Sequence, residues 1–268
     1  MSAGIQSYQS VSGKVFLISL AMLVAIASWA LWKTQTQFKA KQLYNQAVEK
    51  SQAGEHRAAL TYLARSIQLM PNYESAYYSR GRIRFQLGDY SGSITDYSRA
   101  IKLNPEDAGA YANRCVSYRH LSNFSAAIAD CSQAISLNPN YADAYANRCL
   151  ASIGVGDAIK ALPDCNRAIE LDPNRDDAYY GRGLTDSALG DLNSAITSFS
   201  QAIALNPDFA AAYYYRGLAR VELNHQKTAI SDLQKAAELC NASAIACNID
   251  PNTELQKLSS SKDPYSSR

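Results

Sequence analysis

Five arginines recur at one fixed interval along the chain, Arg80, Arg114, Arg148, Arg182 and Arg216, and carboxylates accompany them. Asp96, Asp130, Asp164 and Asp232 each follow an arginine by sixteen residues. After Arg182 that place holds Ser198, while Asp186 stands four residues on, one helical turn away. A periodic guanidinium could form a basic stripe for an acidic ligand. The joint pattern favours an internal ion-pair ladder instead: where the arginine is missing (Gln46), the aspartate is missing too (Tyr62). A partly buried guanidinium needs a carboxylate, and its fork suits one through two parallel hydrogen bonds.

The other reactive side chains form no machinery. Cys115, Cys131, Cys149 and Cys165 fall among small and apolar residues and read as buried free thiols. They contain no C-x-x-C pair, which argues against zinc. Cys240 and Cys247 lie further on, in NASAIACNIDP, and would bridge in an oxidising compartment but stay reduced in a cytoplasm. His56, His120 and His225 are scattered, and the chain has neither a phosphate-cradling loop nor a nucleophile elbow. No catalytic constellation, metal site or cofactor site is expected, so the chain does not read as an enzyme.

The elements that carry these residues follow from a second series with the same period. Pro71, Pro105, Pro139, Pro173 and Pro207 are spaced as the arginines are, and close the phrases LMP, LNP, LNP, LDP and LNP. Between them lie two apolar stretches at helical spacing, as in AYYSRGRIRFQLGDY and SITDYSRAIKLNP. Gly88-Asp89, Gly156-Asp157 and Gly190-Asp191 mark the break between the stretches, as glycine does after a helix end. The residue before each proline is pushed out of the helical region, which ends the second helix. Pro163 falls near the start of one such helix, where a delayed start is expected. Such a period means stacked units, none able to bury its apolar face alone.

Three of the 26 basic residues, Lys14, Lys33 and Lys39, precede residue 40, where no acid occurs. The rest of the chain then carries 23 bases against 24 acids, without the basic excess that nucleic-acid phosphates require. Within the early segment, Val15 to Trp32 is apolar apart from Ser19 and Ser28, and is bounded by Lys14 and Lys33. It would span roughly 27 Å as a helix, close to a bilayer's hydrocarbon thickness, with Trp29 and Trp32 at the interface. It reads as a single transmembrane helix. A cleaved export signal is the alternative, with Ala25-Ile26-Ala27 as the processing site. Lys33, Lys39, Lys41 and Lys50 follow the run while Lys14 alone precedes it, which places the repeats on the cytoplasmic, inner side.

Helix, turn, helix, turn at a period of about 34 residues resembles the tetratricopeptide repeat (TPR) family. The family's early bulky residue is matched by Leu43, Tyr77, Tyr111, Tyr145, Tyr179 and Tyr213. Its glycine is matched by Gly81, Gly183 and Gly217, and replaced by Ala47, Cys115 and Cys149. Its alanine is matched by Ala59, Ala127, Ala161, Ala195 and Ala229, with Ser93 as the exception. Its later aromatic is Tyr97 or Phe199, otherwise Leu63, Cys131, Cys165 or Leu233. The ladder arginines stand where the family has leucine. The resemblance implies an all-α, right-handed superhelical solenoid of six repeats (40–73, 74–107, 108–141, 142–175, 176–209 and 210–243). Around it are expected an N-terminal tail 1–14, the transmembrane helix 15–32, a linker 33–39, a C-terminal capping segment 244–258 and a disordered tail 259–268.

The family also implies a concave groove lined by the first helices, holding an extended peptide or a helix of another protein. Its places fall on Tyr78, Arg82 and Phe85; Asn113, Val116 and Arg119; Asn147, Leu150 and Ile153; Tyr180 and Leu184; Tyr214 and Leu218. A family subclass clamps a chaperone's C-terminal carboxylate. Asn113 matches its pattern, but Tyr78 and Asp143 replace two lysines, which disfavours that role. The expectation is a membrane-tethered, non-catalytic scaffold that recruits or assembles proteins, with no small-molecule substrate. The alternative is an exported, soluble carrier or regulatory subunit.

Overall fold

Aspartate and asparagine side chains start many of the helices. The Asp89, Asp107, Asn123, Asp157 and Asp191 side chains each accept a hydrogen bond from a backbone N–H of the first turn that follows. The computed structural model describes residues 3–242 and 249–260, with side chains for 22–242 and 249–259. Among the described residues there are thirteen helices and no strand. They fall into two compact units, Met1–Asn104 and Pro105–Arg268.

The first unit contains α1 (Ala3–Gln52), α2 (His56–Leu69), α3 (Glu74–Gln86) and α4 (Tyr90–Leu103). The second contains α5 (Ala108–His120), α6 (Phe124–Leu137), α7 (Ala142–Gly154), α8 (Ala158–Leu171), α9 (Asp176–Ala188), α10 (Leu192–Leu205), α11 (Ala210–Glu222), α12 (Gln226–Ala242) and α13 (Pro251–Ser260). Within each unit consecutive helices pair antiparallel, and in the second unit the first helices of neighbouring repeats also touch, α5 with α7 and α7 with α9. The second helices of that unit do not pack on one another to this extent. First helices therefore lie on the inner side of the stack.

Each repeat turns from its first helix to its second through a left-handed residue. Gly54, Gly88, Gly156 and Gly190 hold φ between 77° and 84°, while the same place is Ser122 (φ 56°) or Asn224 (φ 60°) in the other two repeats. A serine Cβ is strained there, and asparagine tolerates the region better. Ser122→Gly is expected to raise the stability of the second unit by about 0.5–1 kcal/mol despite the freer unfolded chain. A urea midpoint that stays put or falls would refute this account of the turn.

Between paired helices the small residue of the first faces the large residue of the second. A Cβ on Gly81 would lie 3.0 Å from the Tyr97 ring, and one on Gly183 would lie 2.6 Å from the Phe199 ring. Tyr97 and Phe199 are fully buried at these crossings. Cys115 and Cys131, and Cys149 and Cys165, occupy the equivalent pair of places with Cα atoms 5.5 and 5.4 Å apart. That is disulfide distance, and both pairs are bonded. The expectation of free thiols is thus corrected: each pair faces itself across one crossing.

Three further expectations change. Residues 33–39 are no linker, because α1 runs unbroken through them into the first repeat, and the tail 1–14 is helical from Ala3. Pro163 does not delay its helix. The Asp157 cap starts α8 at Ala158, and the proline takes the sixth position, removing the bond that its N–H would donate to Ile159. Ser259 and Ser260 continue α13 rather than a disordered tail. Residues 243–248 and 261–268, and with them most of that tail and Cys247, lie outside the described residues. Cys240 is disulfide-bonded.

The apolar run Val15–Trp32 lies within α1, but the side chains of residues 15–21 are outside the described set. Among the described residues no helix is long and apolar enough to cross a membrane.

Candidate partner-binding face and the ion-pair ladder

The period that sets the helices also sets the charges. In four repeats the arginine of the first helix meets the aspartate of the second through paired hydrogen bonds from Nε and Nη2. The distances are 2.9 and 2.7 Å for Arg80–Asp96, 2.6 and 2.8 Å for Arg114–Asp130, 2.7 and 2.7 Å for Arg148–Asp164, and 2.9 and 2.7 Å for Arg216–Asp232. All four aspartates are buried. The carboxylate bonds hold the Arg80, Arg114 and Arg148 guanidinium pKa above its ordinary value, against the opposing effect of burial.

Two features of the ladder go beyond what spacing implies. Each of these arginines lies over the ring of the tyrosine three residues earlier, at 5.4–5.7 Å for Tyr77, Tyr111, Tyr145 and Tyr213. The recurring Tyr-x-x-Arg is the signal that could have found it. In addition, Arg84 Nη1 and Arg220 Nη1 each donate to a ladder carboxylate, Asp96 at 2.9 Å and Asp232 at 2.5 Å, making triads.

The fifth rung is built differently. Arg182 Nε stands 3.7 Å from Asp186 Oδ2, and Ser198 Oγ donates to that oxygen at 3.1 Å. Burial pushes the Asp186 carboxyl above the usual carboxylate range, with the serine bond and Arg182 opposing. A carboxyl whose folded pKa is raised favours folding below its unfolded pKa and loses that contribution as pH rises through the folded value. Asp186→Asn is therefore expected to raise the unfolding midpoint at neutral pH and leave it unchanged near pH 3, where aspartate is itself neutral. Equal effects at both pH values would refute this.

The places expected to line a groove divide into two groups. Asn147 is buried and donates its side-chain N–H to the Asp143 carbonyl at 2.8 Å. Tyr180 packs in an aromatic cluster with Phe199, Phe209 and Tyr215, and burial raises its phenol. Ile153 packs against the Cys149–Cys165 bridge, and Tyr78 meets the Tyr97 ring edge-on at 5.8 Å. Phe85 pairs with Tyr90 at 5.3 Å, and Tyr214 with Tyr215 at 5.1 Å. These contacts belong to packing. Arg82 is exposed in the first unit. In the second unit Val116, Leu150, Leu184 and Leu218 stay half-buried, one per first helix and one per repeat period. Asn113 and Arg119 are half-buried beside them on α5. Asp143 is engaged in an ion pair with Arg175, the residue that precedes α9.

Comparison with known proteins agrees with this construction. A family model described as TPR repeat matches residues 81–119 and 187–224, and one described as Tetratricopeptide repeat matches residues 108–141. Among solved structures, the crystal structure of MamA is similar at 26% identity and TM-score 0.51, covering 60% of this chain and 95% of that one. YrrB, described as a TPR protein with an unusual peptide-binding site, is 18% identical with TM-score 0.53, covering 74% and 97% of the two chains. PilF of Pseudomonas aeruginosa shares the fold at 13% identity and TM-score 0.67, covering 85% and 100%. No curated protein sequence matches the chain. With its periodic helix pairs, its small-against-large crossings and these matches, the chain carries tetratricopeptide repeats, matched over residues 81–141 and 187–224.

Proposed function

We propose that this chain is a non-catalytic scaffold that holds a peptide or helix of a partner protein on the inner face of its second unit, and assembles complexes beside a membrane. One observation carries the binding reading: the aliphatic row Val116, Leu150, Leu184 and Leu218 stays accessible on the inner helices. An apolar row at regular spacing suits apolar anchors on an extended partner. The peptide-binding site described for YrrB, a structural neighbour, supports the same reading.

The tether is the apolar run Val15–Trp32 in α1. Met22, Leu23, Val24, Ile26, Trp29, Leu31 and Trp32 are 58–63% exposed, spread around a stretch of helix that carries little else of the described chain. Exposed apolar surface of that kind calls for lipid or a partner. The lysine bias favours a cytoplasmic placement of the repeats. The two interhelical disulfides weigh against it, because such bridges persist in oxidising compartments. We therefore place the repeats on the extracytoplasmic side.

Membrane fractionation with N-terminal sequencing tests the tether. A mature chain that begins near Ser28 or Leu31 would replace it with the exported soluble form. Thiol trapping in acid-quenched cells tests the side, and alkylation of Cys115, Cys131, Cys149 and Cys165 without reductant would return the repeats to the cytoplasm. For the groove, Leu150→Gln/Leu184→Gln is expected to weaken capture of a crosslinked partner at least tenfold, about 1.4 kcal/mol or more. Undiminished capture by a folded variant would reject this face.

A further inference from the structure

Met70 departs from its repeat. The residue before the repeat proline is Asn104, Asn138, Asp172 or Asn206 elsewhere, and methionine only here. Asn138, Asp172 and Asn206 each accept a hydrogen bond from the backbone N–H two residues on, at 3.1, 3.1 and 3.2 Å, which closes the turn. Methionine cannot make that bond. The first turn, between α2 and α3, forgoes it and presents an apolar side chain beside Leu69, which is 37% exposed.

The position of that turn is fixed by register. Ser66 Oγ donates to the Ala40 carbonyl at 2.7 Å, locking α2 antiparallel to α1. Past Ser66 the chain therefore runs alongside the turns of α1 that precede Ala40. There Leu69, Met70 and Pro71 border a cleft of about 450 Å³ whose other wall includes Trp32 and Lys33. Trp32 is the last residue of the apolar run, and Lys33 Nζ lies 5.0 Å from the centre of the Trp29 ring. Two amphipathic rings, a lysine and an apolar turn thus come together at the level where the run ends. That combination matches a bilayer interface: acyl chains below, phosphates above.

We propose that the α2–α3 turn is a second membrane contact, with Leu69 and Met70 entering the headgroup–acyl boundary of the phospholipid bilayer that α1 enters. Lys33 then meets the lipid phosphates. Two contacts on one rigid helical hairpin fix the orientation of the first repeat to the membrane, which one helix could not do. The proposal rests on the tether reading above.

The test uses the full chain, whose two tryptophans both lie in this region. It is reconstituted into phosphatidylcholine–phosphatidylglycerol vesicles carrying lipids brominated near the headgroup or near the bilayer centre. Quenching of wild-type emission, with co-flotation, reports on the tether itself. The variant Trp29→Phe/Trp32→Phe/Met70→Trp moves the only indole to the turn. Its emission is expected to be quenched severalfold more by the shallow bromines than by the deep ones. In the same tryptophan-free background Gln52→Trp, at the far end of the hairpin, is expected to stay unquenched. An unquenched Met70→Trp variant beside a quenched wild type overturns the second contact and leaves the tether standing. Quenching at Gln52→Trp equal to that at Met70→Trp overturns the upright orientation and the proposal with it. If neither wild type nor variant is quenched, the tether reading falls and takes this proposal with it.

Discussion

Asp96→Ala is expected to destabilise the first unit by about 3 kcal/mol, read as a loss of unfolding midpoint at constant m-value. Asp96 is 1% exposed and accepts three hydrogen bonds, two from Arg80 and one from Arg84. Its removal takes the carboxylate from both guanidinium groups; Arg84 keeps the Gly92 carbonyl at 3.2 Å and Asp89 at 3.7 Å, so Arg80 bears most of the loss. The arginines are partly exposed, 18% and 29%, and can turn towards water, which sets the effect at the low end for a broken buried pair. The cost comes chiefly from the stranded Arg80 cation rather than from the pair's net strength. Arg80→Leu/Asp96→Ala, which restores the family's leucine and removes both main partners, is therefore expected to recover most of the loss. An Asp96→Ala variant as stable as wild type would show that the ladder does not support the stack.

How much of this was legible in the sequence depends on whether spacing alone names the contact. Arg and Asp sixteen residues apart could be paired because their charges are complementary and vanish together at Gln46 and Tyr62. Cys115 and Cys131 have the same separation, yet their small, apolar surroundings suggested free thiols. The missing step was that Gly81 and Tyr97 occupy those places and touch, so two cysteines there must face each other. The groove was harder. Asn147 and Tyr180 look outward by register, but whether a side chain reaches solvent depends on its neighbours' size. Tyr180 fills the space between Phe199, Phe209 and Tyr215, a cluster that no single helix supplies. No local pattern reveals that. Pro163 is held inside α8 by tertiary packing that no local pattern shows, with Ala161, Asp164 and Cys165 buried around it and the Asp157 cap fixing the helix start upstream.

Cys115→Ala/Cys131→Ala is expected to lower the stability of the second unit by about 3 kcal/mol or more. Closing a loop of this size in the unfolded chain accounts for about 3 kcal/mol, and truncating two buried sulfurs leaves a void besides. The neighbouring repeat supplies a discriminating control. Cys115→Gly/Cys131→Tyr reinstates the pair that Gly81 and Tyr97 form, filling the crossing without the covalent constraint. It should fall between wild type and the alanine pair. Because repeats unfold in contiguous segments, hydrogen exchange at α5 and α6 is the direct readout, and the amides there should exchange in that order. Reductant should speed exchange at α5 and α6 in wild type. In the glycine–tyrosine variant reductant should leave α5 and α6 with little change while still loosening α7 and α8, whose Cys149–Cys165 bridge is intact. An alanine pair as protected as wild type would mean that the bridge constrains nothing. The oxidising compartment would then have to be argued from thiol trapping alone.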